Sequence, residues 1–200
     1  MPTLSADALG ALILFAAVTT FTPGPNTLML MASGANFGVR RTVPHMLGIL
    51  IGFAVMILLV GIGVMGVFEA FPEAETALKV ASVAYLLWLA WKIANAAPPQ
   101  EGAAAGQPMT FLQAALFQWV NPKAWSMALS AIAVYAPSRS LAAVALVALV
   151  FALVTLPAVG CWSAAGQQMR RWLAKPGRLR LFNRTMALLL VASLWPVVAP

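Results

Sequence analysis

Residues 8–33 read ALGALILFAAVTTFTPGPNTLMLMAS. The run carries no charged side chain and is longer than the roughly 20 apolar residues a helix needs to cross a bilayer. Deep inside it sits Thr22-Pro23-Gly24-Pro25-Asn26. Proline lacks an N–H and its ring clashes with the carbonyl four residues back, so Pro23 and Pro25 break the helix and free the carbonyls of Thr19 and Phe21. Backbone groups left unpaired in lipid cost several kcal/mol each. Irregular backbone at this depth is therefore tolerated only where protein buries it or a wet cavity adjoins it. Thr19, Thr20 and Thr22 offer hydroxyls to some of the freed carbonyls. The stretch predicts a broken membrane helix.

Working outward, the 200 residues are 62% hydrophobic and 8% charged, with a mean hydropathy of +0.90. Soluble domains run near half apolar and a quarter charged, so a soluble core is excluded. Apolar runs predict six spans near 8–33, 46–68, 77–96, 110–135, 141–164 and 183–199. Between them lie Arg40-Arg41 with His45, then Glu69, Glu73 and Glu75, a Pro/Ala/Gly stretch at 97–108, the turn Pro137-Ser138-Arg139, and a basic segment at 165–182. The N-terminus has Asp7 in place of a basic leader, so its run is expected to be the first mature span. Cys161, alone of its kind, has no partner for an internal disulfide and is read as packing.

The net charge of +7 would suggest nucleic acid in a soluble chain. Here the cations fall between apolar runs, as the positive-inside rule requires, and no nucleic-acid partner is expected. With the first loop cytoplasmic, nine of the twelve basic residues lie inside: Arg40, Arg41, Lys92, Arg170, Arg171, Lys175, Arg178, Arg180 and Arg184. Both termini are then external, in a bacterial cytoplasmic membrane. The segment Gly166 to Phe182 is read as a topogenic anchor along the inner headgroups.

The fourth run holds a second break, Asn121-Pro122-Lys123, where Pro122 displaces the carbonyl of Gln118. About 97 residues separate Pro25 from Pro122, half the chain. This spacing predicts two three-helix repeats, 1–96 and 109–200, joined by the 97–108 linker and inverted relative to each other because each has an odd number of spans. Interrupted helices in matching places of two such halves point to a transporter's central site. A lone transmembrane proline is more often a plain kink, and Pro157 is read that way.

The chemistry suits a zwitterion. A helix restarting after Pro-Gly-Pro presents N–H groups at Asn26, Thr27 and Leu28 to a carboxylate, and the freed carbonyls receive an ammonium. Asn26 and Asn121 add donors and acceptors without net charge. Lys123 is the only charged side chain near the centre of a span, and intramembrane ionisable groups are functional candidates by default. Against a snorkelling role, its depth favours binding a substrate carboxylate or carrying protons. His45 is the other candidate for proton coupling, with an interfacial role equally compatible. The substrate-binding set is Thr22, Pro23, Gly24, Pro25, Asn26, Thr27, Asn121, Pro122 and Lys123.

With Thr22-Pro23-Gly24-Pro25-Asn26, Asn121-Pro122-Lys123-Ala124 and the pair Gly48 and Gly52 in view, the chain resembles the LysE/RhtB family of amino-acid exporters over nearly its whole length. The resemblance implies efflux of amino acids or close derivatives driven by the proton-motive force, with both proline motifs on the central pathway, and homo-oligomers are a feature of relatives. Many relatives have aspartate where this chain has Asn26, and an acid in or beside the second span. Here the five acids are Asp7, Glu69, Glu73, Glu75 and Glu101, all at loops or ends. A cationic substrate would find no counter-charge, so a neutral amino acid is expected.

One His, one Cys and no intramembrane acid supply neither a catalytic constellation nor a metal site, so no enzyme, cofactor or metal is expected. A non-transporting structural protein is the rival, since small-residue faces such as Gly48/Gly52 are explained by helix packing alone. Convergence of Asn26, Asn121 and Lys123 on one cavity separates the two readings. An exporter of another small zwitterionic or anionic metabolite is the nearer alternative.

Overall fold

The computed structural model describes residues 5–64, 70–96, 106–136, 138 and 140–195. Glu69, Glu101, Pro137, Arg139, most of the 97–108 linker and the end of the sixth predicted span lie outside them. The described residues form helices and no strand. In chain order these are α1 (Ala6–Phe21), α2 (Pro25–Phe37), α3 (Val39–Leu59, continued by a π-turn Val60–Val64), α4 (Pro72–Ala94), α5 (Phe111–Phe117, continued by a 3₁₀ turn Gln118–Val120), α6 (Pro122–Tyr135), α7 (Leu141–Met169) and α8 (Pro176–Ala192).

By length and composition, three helices can cross a membrane: Val39–Gly63, Thr76–Ala94 and Leu141–Met169. α1 and α2 qualify as a fourth span when taken together, bent by 53° at Thr22-Pro23-Gly24. The fourth predicted run is divided at Asn121 into Phe111–Val120 and Pro122–Tyr135, so neither piece reaches spanning length alone.

Three connections differ from the sequence expectation, the acidic one because Glu73 and Glu75 fall in the first turn of α4, which Pro72 opens. The Arg40–His45 loop is helix, because Gly38 alone turns the chain between α2 and α3. Its φ of 81° is in the region that glycine enters freely. Likewise α7 runs on to Met169 and α8 starts at Pro176, so the basic segment is mostly helix with one short 3₁₀ turn, Trp172–Ala174. Proline at the first helical position is pre-set for that start.

Close packing places the broken helices. A Cβ on Gly34 would lie 2.0 Å from the Ser163 carbonyl oxygen, and one on Gly166 2.0 Å from that of Met31, so α2 and α7 touch backbone to backbone. Gly48 and Gly52 do the same for α3 against α5, at 2.3 Å from the Phe111 carbonyl oxygen and 2.5 Å from the Ala115 Cα. Lipid gives helices no hydrophobic reason to associate, and such small-residue seams supply the dispersion contact instead. Leu12, Phe53, Met56, Val147 and Phe151 fill the core beside the first break. Large apolar side chains such as Leu14, Leu153 and Leu188 cover the outside.

Candidate functional site

Both breaks are built alike. At the first, Thr22 and Gly24 are extended and Pro25 opens α2. At the second, Asn121 is extended (φ −95°, ψ 107°) and Pro122 opens α6. Each restart is capped locally. The Thr27 hydroxyl accepts from the Gly24 N–H (2.8 Å) and donates to the Gly24 carbonyl (3.0 Å), and the Asn121 side-chain oxygen accepts from the Lys123 N–H (3.2 Å).

The threonines before the first break act one turn earlier than expected. Thr19 donates to the carbonyls of Phe15 (2.7 Å) and Ala16 (3.3 Å), and Thr22 to that of Val18. They therefore leave the carbonyls next to the break free. Lys123 takes these: its Nζ donates to the Thr22 carbonyl at 2.6 Å and the Pro23 carbonyl at 3.4 Å. The two breaks, about a hundred residues apart in sequence, are thus joined by the charged side chain of Lys123. Gly24 permits the approach, since a Cβ there would stand 2.7 Å from the Lys123 Cδ. The carbonyl of Gln118, displaced by Pro122, is satisfied by the Asn121 N–H (3.3 Å).

A second bridge runs beside the first. Asn26 Nδ2 donates to Gln118 Oε1 (2.8 Å) and Gln118 Nε2 donates back to Asn26 Oδ1 (3.2 Å) and to the Ala114 carbonyl (2.9 Å). Both bridges border a cavity of about 40 Å³, which Gly24, Asn26, Thr27, Asn121 and Lys123 help to line. A water's share of liquid volume is about 30 Å³, so the space suits water and not an amino acid. Three buried polar atoms on this cavity have no partner: the hydroxyls of Thr20 and Thr155 and the indole N–H of Trp162.

Of the predicted site residues, Gly24, Asn26, Thr27, Asn121 and Lys123 meet at the cavity, and Thr22 and Pro23 contribute carbonyls to Lys123. Pro25 and Pro122 act through the backbone, as helix starters. The Leu28 N–H is paired with the Gly24 carbonyl (3.0 Å) and leaves the expected donor set. His45 is elsewhere, on a different cavity. Gln118, Thr155 and Trp162 escaped the sequence reading. Their signal was only that of polar or amphipathic side chains inside apolar runs, and in Gln118's case a place three residues before Asn121. Among the described residues, no three His, Cys, Asp or Glu gather as metal ligands would.

Residues 17–193 match the family model described as LysE type translocator. The cysteine/O-acetylserine efflux protein of Escherichia coli (strain K12) is 32% identical over 187 residues, covering 92% of this chain and 93% of that protein. Proteins of the same description in Shigella flexneri and Escherichia coli O139:H28 (strain E24377A / ETEC) match over the same spans at 32% and 31% identity. No solved structure gave a significant match.

Proposed function

The chain belongs to the LysE type translocator family, and from that premise we propose that it exports small neutral amino acids, of the size of cysteine and O-acetylserine, across the cytoplasmic membrane. The observation that carries this reading is the Lys123 ammonium seated on the Thr22 and Pro23 carbonyls. That is the arrangement a substrate ammonium would adopt, made here by the protein's own cation. An entering zwitterion exchanges with it: the substrate ammonium takes the two carbonyls, and the released Lys123 turns to the substrate carboxylate. Hydrogen bonds to charged groups are each worth about 1.5–3 kcal/mol, so trading one set for an equivalent set keeps the exchange near balance.

Neutral substrates are favoured because, among the described residues, no carboxylate lines the cavity to pair with a cationic side chain. The unpartnered donors of Thr20, Thr155 and Trp162 suit a carboxylate or an ester carbonyl. The order broken helix, helix, helix occurs twice, in α1 to α4 and α5 to α8, in keeping with six spans arranged as two inverted repeats that rock about the breaks. The proton-motive force drives export, with Lys123 the ionisable group on the central path. Export is toward the face away from Arg40, Arg41 and Arg170, which the positive-inside rule makes external along with both termini.

Uptake of labelled amino acids into everted vesicles under an imposed proton gradient tests the reading. Wild-type protein accumulates at least one neutral amino acid, a protonophore abolishes the accumulation, and Lys123→Ala or Asn26→Ala lowers it more than tenfold, about 1.4 kcal/mol or more. Accumulation only of some other small zwitterion or anion would move the substrate class and keep the mechanism. Failure of every solute by well-inserted protein would end the proposal.

A further inference from the structure

His45 lies within the second turn of α3, 1% exposed. Neither ring nitrogen has a hydrogen-bond partner. A buried imidazole needs one acceptor and one donor, and leaving such groups unpaired costs about 1–3 kcal/mol each. The ring lines a cavity of about 280 Å³ between α2, α3, α4 and the segment leading into α5. The volume is roughly nine times a water's ~30 Å³ share, enough for a small solute. This cavity shares no lining residue with the central one, although α2 walls both: Asn26 and Thr27 face the central cavity, Ser33 and Asn36 this one.

Beside His45 the polar side chains lining the cavity are Ser33, Asn36, Lys92 and Gln107, of which the two on α2 are occupied. Ser33 and Thr42 pair through their hydroxyls (2.9 Å), and Asn36 exchanges amide hydrogen bonds with Asn183 (3.1 and 3.4 Å). Of the buried polar side chains described on this cavity, His45 is the one left without a partner to serve a ligand. Lys92 also lines the cavity, with its ammonium 4.6 Å from the Trp88 ring centre. Arg41 stacks on the lining Phe37 (5.6 Å) and donates to the lining Gly106 carbonyl (3.5 Å). Met29, Leu89 and Ile93 make the walls apolar, and among the described residues no acidic side chain lines the space.

We infer that the His45 cavity is a second amino-acid binding site, a loading site on the basic face from which substrate passes along α2 to the central cavity. A zwitterion with a short, weakly polar side chain fits: its carboxylate meets Lys92, its ammonium meets the acceptor nitrogen of a neutral His45, and its side chain meets the apolar wall. The site's identity as a loading site rests on the export reading above.

The test is the stoichiometry of radiolabelled O-acetylserine bound to full-length protein in lipid nanodiscs, alongside its uptake into everted vesicles. Wild type binds two molecules per chain. Lys123→Ala keeps one, and His45→Leu keeps one and raises the half-saturating concentration for uptake at least tenfold. Ala96→Leu, which enlarges a different lining side chain and leaves the imidazole in place, also keeps one. His45→Asn retains a donor and an acceptor and keeps two. One molecule per wild-type chain, lost in Lys123→Ala and unchanged in His45→Leu, would overturn the loading site while uptake upheld export. Absence of both binding and uptake would remove the two proposals together.

Discussion

The proposed exchange turns on Lys123, and a substitution there separates its effect from folding. Lys123→Met keeps most of the side-chain volume but removes the only charged donor to the Thr22 and Pro23 carbonyls. Those carbonyls belong to exposed residues, so hydration compensates and the protein is expected still to insert. Initial uptake rates in everted vesicles are expected to fall more than tenfold at normal yield. Lys123→Arg is not expected to restore them, because the planar guanidinium is wider than the compact ammonium that Gly24 admits. Gly24→Ala tests the same bridge from the other side. Its Cβ would crowd the Lys123 Cδ at 2.7 Å and push the side chain off the carbonyls. Transport is expected to drop about as far as in Lys123→Met, and the double mutant to be no worse than either single one, the non-additivity of residues that act as a unit. An additive loss would mean that Gly24 acts independently of Lys123. Lys123 and Asn26 were legible in the sequence because charge and amide groups are conspicuous in an apolar run. Gln118 was not, since its role depends on a partner 92 residues away, and no local pattern encodes that pairing.

At the scale of elements, glycine seams decide which helices meet. The Gly34 and Gly166 positions have no room for a methyl group, the neighbouring carbonyl oxygens standing at 2.0 Å in each case. Gly166→Leu is expected to part α2 from α7 and lower the thermal unfolding midpoint in detergent by several degrees or abolish insertion. Gly160, also on α7, would find nothing within 4 Å of an added Cβ. Gly160→Ala is therefore expected to leave the midpoint unchanged or raise it slightly, given the ~1 kcal/mol helix preference of alanine over glycine. Equal behaviour of the two variants in a thermal-shift assay would contradict the seam. The Gly48/Gly52 pair could be read from its spacing and does pack α3 on α5. The Gly34/Gly166 seam could not, because Gly34 stands alone on its helix and Gly166 is six residues from Gly160, a spacing that gives no small-residue face. The breaks themselves were legible, since proline's missing N–H acts locally. The threonine hydroxyls were misassigned by one turn, because in-helix back-bonding to the preceding turn competes with the break for them.

At the scale of the whole molecule, the cavity volumes bear on how transport proceeds. The central cavity of about 40 Å³ is far smaller than the several hundred Å³ of ordinary ligand sites. On the proposed function, a substrate enters this space only if the helices around the breaks separate, which predicts access that depends on motion. The chain's single cysteine, Cys161, is exposed, so a Cys161→Ala background removes the native thiol. Thr155→Cys then places a thiol on the buried cavity wall. An impermeant thiol reagent is expected to label it slowly from each side, in right-side-out and in everted vesicles, and saturating substrate to slow both reactions several-fold. Adding Lys123→Met removes the bridge that holds the breaks together, so labelling is expected to accelerate from at least one side. A thiol that never reacts, or that reacts equally fast with and without substrate in every background, would mean that the space between the breaks is sealed packing. The two broken helices would then be an architectural joint, with Lys123 merely satisfying the backbone.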